Sequence, residues 1–231
     1  MPMLRTLALL LVTWIGLAAP APALAVGPEV SAAPVQVRAP ADARVQVPRG
    51  WATQATSRVA IHGPPRHARL MEVLLDHADA SVEELGLVLG VPTGGDIHIF
   101  VSSTDAQFRE VQPGEPPTWA DATAYPALGA VYLRAPLARA GDQEPLTRVL
   151  DHELVHVLVG RAFAPERPPT WVQEGLAQFY AEPYDLAAVQ KLARAASTGP
   201  VPLARLESGF PENPHAASLA YAQSFDFFVW M

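Results

Sequence analysis

The stretch "LDHELVHVLVG", Leu150 to Gly160, sets two imidazoles and a carboxylate into an otherwise apolar run. A run of that character is expected to be buried, and polar side chains in a buried segment must find partners. In a helix, residues four apart lie one above the other on the same face, so His152 and His156 project together. Two imidazoles on one buried face are either a pair of satisfied core histidines or two-thirds of a metal site. What stands around them decides between the two.

The chain contains no cysteine, which excludes disulfides and thiolate ligation, so any metal has to be held by nitrogen and oxygen. Hydrolytic zinc sites commonly use three protein ligands and leave the fourth position to water. The segment "PPTWVQEGLAQFYAE" offers the third ligand as Glu174, on a second helix that the loop "RAFAPERPP" would bring back alongside the first. His152, His156 and Glu174 then form a two-histidine, one-carboxylate set. Glu153 is turned by about 100° from His152 along the helix, so it can overhang the fourth position and take a proton from water there. The helical setting and the downstream glutamate favour this metal reading over satisfied core histidines.

Length and composition allow such a site: 231 residues, half of them hydrophobic and 17% charged, suffice for one domain with a real core. The N-terminus "MPMLRTLALLLVTWIGLAAPAPALA" runs from a basic residue through a short apolar stretch to Ala23-Leu24-Ala25, the pattern of a secretory signal peptide over residues 1–25. Cleavage there predicts an exported protein, periplasmic or extracellular, with no membrane span left. The remaining chain carries 15 basic and 23 acidic residues, a net charge of −8, which argues against nucleic acid as a partner. Oligomeric state is not encoded in any visible pattern.

Residues 26–50, rich in Ala, Pro and Val, read as a linker or edge segment, with "ARVQV" alternating well enough for a short strand. The folded domain is expected over residues 51–231. Its first part alternates: "SRVAIHG", "DIHIFVSS" and "GAVYLRAP" are strand-like, "PPRHARLMEVLLDHADASVEELGLVLG" is a helix, and "VQPGEPPTWADATAYPALG" is a loop. From Glu144 onward only helices are expected: "EPLTRVLDHELVHVLVGRAF", "TWVQEGLAQFYAE", "DLAAVQKLARAAS" and "PHAASLAYAQSFDFFVWM". The fold class is therefore α+β, a small mixed sheet packed against a helical half, with the site in the cleft between them. His62, His67, His77, His98 and His215 have no partner four residues away and read as surface or satisfied core residues.

"LDHELVHVLVG" followed by "PPTWVQEGLAQFYAE" resembles the gluzincin-type zinc metallopeptidases, in particular the small bacterial peptidase MA-like domains. The resemblance covers the helical half and implies a thermolysin-like (zincin) core. It also implies zinc on His152, His156 and Glu174, Glu153 as the catalytic base, and hydrolysis of a peptide or protein substrate. By the same resemblance an edge strand receives the substrate, for which Gly129, Ala130, Val131 and Tyr132 of "GAVYLRAP" are the candidates. Tyr221 is the candidate helper at the oxyanion, a half-buried core aromatic being the alternative. Two features depart from the pattern. Gln178 stands one turn after Glu174, where some relatives place an acidic residue that steadies a histidine, and the final helix stops apolar and uncapped, as in a fragment. The rival to the enzyme is a non-catalytic exported zinc-binding module or an inactive peptidase homologue; the intact Glu153 favours catalysis.

Overall fold

The computed structural model of the chain describes residues 42–116, 120–135, 146–181, 199–207, 209–211 and 213–230. The proposed signal peptide, most of the proposed linker and the expected helix at 185–197 lie outside the described residues, as does Pro136.

Five strands form one mixed sheet: β1 (Ala52–Ala55), β2 (Val59–Gly63), β3 (Ile97–Ser102), β4 (Ala122–Tyr125) and β5 (Ala130–Arg134), in the order β1-β2-β3-β5-β4. The middle three run parallel, whereas β1 and β4 close the two edges antiparallel. A parallel pair needs a long crossover, and between β2 and β3 this is supplied by α1 (Ala68–Leu89). Strand β4 needs only a tight return to β5, made by a single 3-10 turn at Pro126–Leu128 and by Gly129 at φ 59°, a left-handed conformation that glycine adopts without strain.

Successive side chains of a strand point to opposite faces, and here the two faces carry different chemistry. Ile97, Ile99 and Val101 of β3, with Val131 and Leu133 of β5, face one aliphatic core shared with Met71, Leu74, Ala78 and Val82 of α1. Phe100, Ala130 and Tyr132 face the other side, in an aromatic cluster with Phe108 of α2 (Asp105–Glu110) and Tyr125 of β4. There the rings of Phe100 and Tyr132, paired across the strands, stack at 4.8 Å. Val45 packs against this cluster, so the part of the N-terminal segment described here lies on the sheet; residues 43–48 form no strand, which corrects the expectation for "ARVQV".

The helical half contains α3 (Leu146–Phe163), α4 (Thr170–Ala181), the short α5 (Leu203–Leu206) and α6 (Pro214–Trp230). Helix α3 packs against α1, β4, β5 and α4, and none of its residues from Leu146 to Arg161 is exposed. Leu150, Leu154, Val157 and Leu158 recur at helical spacing and are fully buried. Each such aliphatic side chain contributes roughly 1.5–3 kcal/mol by burial. The architecture is α+β, as the pattern of the sequence implied.

Two expectations need correction. The segment taken as a loop holds strand β4, and the strand taken as an edge is internal: β5 hydrogen-bonds to β3 on one side and to β4 on the other. Ala130, Val131 and Tyr132 are therefore buried in the sheet, with both backbone edges in use, and cannot add a substrate strand; Gly129 lies in the turn that precedes them. Among the described residues, the edge strand on this side is β4.

Candidate metal centre

The metal triangle is assembled from two helices. On α3, the i, i+4 spacing sets His152 and His156 on one face with their Nε2 atoms 3.1 Å apart. After Phe163 the chain turns back, and α4 opens behind Pro168 and Pro169, with Gln173 Nε2 donating to the Pro168 carbonyl at 2.6 Å. Four residues into α4, Glu174 presents Oε2 at 3.2 Å from His152 Nε2 and 3.4 Å from His156 Nε2. Only 4% of its side chain is exposed.

Do these three donors fit a zinc ion? Zinc holds nitrogen and oxygen ligands at about 2.0–2.1 Å in a tetrahedron, which requires neighbouring donors to stand roughly 3.3–3.4 Å apart. The triangle has edges of 3.1, 3.2 and 3.4 Å, close to one face of that tetrahedron. Among the described residues this is the one group of three or more His, Asp or Glu side chains that could hold a metal ion. Both imidazoles converge through Nε2, so zinc would require each to carry its proton on Nδ1.

The electrostatics of the three side chains express the same convergence. Burial pushes the Glu174 carboxyl upward, but the two histidines beside it overcome this and hold it down at about 2. Burial lowers His156, yet Glu174 and Glu153 raise it to about 9. Glu153, itself buried beside the triangle, is shifted upward by desolvation and by Glu174, with the histidines pulling the other way. A bound dication would take over the role these protons play.

Tyr221 of α6 comes to the site as well: its ring centroid is 6.3 Å from that of His152, edge to face, and 4.8 Å from Phe210. Gln178 makes no hydrogen bond to either histidine, so the outer role suggested for it is not formed among the described residues. A different outer contact escaped the sequence. His77 of α1 pairs through Nε2 with Oδ1 of Asp151 at 2.9 Å, tying the crossover helix to the residue before His152. The Asp-His order in "LDHELVH" was its only local trace, because its partner lies 74 positions away.

Among the described side chains, the other lone histidines are satisfied. His67 Nε2 meets Ser103 Oγ at 2.6 Å. His62 accepts or donates at Thr53 Oγ1, 2.9 Å, and at His98 Nδ1, 3.0 Å. The His215 side chain lies outside the described residues. A cavity of about 780 Å³, lined in part by Trp51, Gln112 and Tyr132, lies against the aromatic face of the sheet, away from the triangle.

Comparison with curated protein sequences finds no match. Among solved structures the chain is similar to yeast LTA4 hydrolase in complex with bestatin, at 13% identity and a TM-score of 0.45. It is also similar to native leukotriene A4 hydrolase from Saccharomyces cerevisiae, at 10% identity and a TM-score of 0.39. Both alignments cover 78% of this chain but only 30% of the hydrolase. The family description "Peptidase MA superfamily" matches residues 79–231, two-thirds of the chain and the whole of the metal triangle with Glu153, and the chain therefore belongs to the Peptidase MA superfamily.

Proposed function

We propose that the protein is a zinc-dependent metallopeptidase that hydrolyses peptide bonds, with Glu153 as general base. The observation that carries this reading is the donor triangle of His152, His156 and Glu174 with a buried carboxyl beside it, in a chain of the Peptidase MA superfamily. A purely structural site has no use for the second carboxylate.

Zinc held by this set would supply Lewis acidity, lowering the pKa of a coordinated water from 15.7 toward about 7. Glu153 would accept a proton from that water on a carboxylate oxygen as the peptide carbonyl is attacked, then return it to the departing amine nitrogen. Its buried setting favours holding the proton in the interval between. The Tyr221 hydroxyl would donate a hydrogen bond to the carbonyl oxygen as negative charge develops there. An extended substrate can pair with a free sheet edge, and of the two edges β4 is the one that packs on α3, the helix carrying the histidines.

The N-terminal pattern supports export to the periplasm or the exterior, with peptides or proteins as the partner. No described helix is long and apolar enough to cross a membrane.

The test is purified protein loaded with zinc and offered a peptide library, beside Glu153→Gln. Hydrolysis by the parent, reduced by a factor on the order of 10² or more in a variant that keeps its zinc, is the expected result. Zinc binding without hydrolysis by the parent would favour the non-catalytic module instead.

A further inference from the structure

Helix α4 stands between α3, which carries the histidines, and α6, which carries Tyr221. Adjacent residues on a helix project about 100° apart, so Glu174 can face α3 while Gly175 faces α6. The contact at Gly175 is unusually close: a Cβ there would collide with the carbonyl oxygen of Ser224 and lie 2.8 Å from Phe228 Cβ and 3.0 Å from the Ser224 carbonyl carbon. The obstacle is mainly backbone, which a rotamer change cannot remove. Ser224 is itself fully buried, and its Oγ donates back along α6 to the Ala220 carbonyl at 2.8 Å. Tyr221, one turn before Ser224, then meets His152 edge to face at 6.3 Å.

We infer that Gly175 is the positioning residue for Tyr221: the missing side chain lets α6 close on α4, and that spacing sets the distance from the Tyr221 ring to the metal triangle. The inference rests on the peptidase reading for its catalytic consequence and on geometry alone for its structural one. Any side chain at position 175 moves α6 outward by a distance on the order of 1 Å, a displacement that at a reacting centre costs up to about 10²-fold in rate. Glu174, about 100° round α4 from this contact, keeps its place.

The experiment uses the full chain with zinc bound and has two readouts. In the first, the imidazole resonances of His152 are followed by NMR in the parent, Tyr221→Leu and Gly175→Ala. Tyr221→Leu is expected to shift them by removing the ring current, and Gly175→Ala to shift them the same way. In the second, zinc content and kcat are measured for Gly175→Ala, Tyr221→Phe and the double variant. Full zinc, a loss of tenfold or more in kcat for each single variant and no further loss in the double variant are expected. An unshifted His152 in Gly175→Ala, loss of its zinc, or losses that multiply in the double variant would overturn the inference. Should Gly175→Ala fail to fold, the parent and Tyr221→Leu still put the inference at risk: identical His152 resonances in those two would mean that α6 does not hold Tyr221 at His152, and would overturn it. A parent without peptidase activity would sink the functional reading while the resonance comparison still judged the role of Gly175.

Discussion

Nε2 of His152 lies 3.2 Å from Oε2 of Glu174 although 22 positions of sequence separate the two residues. With His156 at 3.1 Å and 3.4 Å from these atoms, neither histidine can move without disturbing the others.

The first prediction follows from this mutual dependence. His152→Ala, His156→Ala and Glu174→Ala should each reduce zinc from one per chain to a small residue, with affinity falling by more than the roughly 10–100-fold typical of an outer-contact loss. Gln178→Ala, by contrast, should retain zinc, since Gln178 bonds neither imidazole. Elemental analysis after dialysis against a weak chelator measures both. Undiminished zinc in all three ligand variants would remove the site.

Close packing at the far end of α3 gives a second prediction. A Cβ at Gly160 would collide with Pro126 Cβ and come within 2.8 Å of its Cγ, so the glycine lets the metal helix sit directly on the β4–β5 turn. Arg161 fastens the same junction by donating from Nη2 to the Asp96 carbonyl at 2.8 Å. Gly160→Ala should therefore destabilise the chain by about 1–3 kcal/mol, the ordinary penalty for overpacking. Gly94→Ala, with open space around it, should stay within about 0.5 kcal/mol of the parent. Urea unfolding curves measured side by side decide it.

How much of this could be read in the sequence depends on the range of each interaction. His152 and His156 were legible because helical periodicity is local, and Glu174 because a single short loop joins two helices. Strand β4 was hidden in "ATAY", four residues inside a Pro/Gly-rich stretch, with too few positions to show alternation. The interior place of β5 could not be seen either, because a strand's neighbours are set by pairing across the sheet and not by its own residues. The His62–His98 contact needs the register of β2 on β3, fixed only after α1 has crossed over.

A third prediction tests the corrected strand order. Tyr132 is 1% exposed and stacked on Phe100, so it belongs to the core and not to a substrate cleft. Tyr132→Phe should leave KM for a peptide substrate unchanged, whereas Tyr132→Ala should cost roughly 3–5 kcal/mol of stability. A several-fold rise in KM for Tyr132→Phe with unchanged folding would reinstate this strand as a substrate contact.

The last prediction concerns pH. His62 is 3% exposed, and burial together with the neighbouring His98 lowers its pKa from 6.5 to about 4. Around it stand Thr53 from β1, His98 and Phe100 from β3; none is an anion that would favour its charged form. Between pH 4 and 6.5 the unfolded chain binds a proton at this position that the folded chain refuses, so stability rises with pH there. The contribution is fully present above pH 6.5 and is lost as pH falls toward 4, reaching on the order of 3 kcal/mol for the whole shift. His98, also lowered by burial, acts in the same direction, while His77, raised by Asp151, opposes it with stability lost as pH rises. Comparing His62→Gln with the parent at each pH cancels most of these other titrations. The variant's deficit in unfolding free energy should be largest above pH 6.5 and shrink steadily toward pH 4, and a deficit independent of pH would show that His62 is not held neutral by its surroundings.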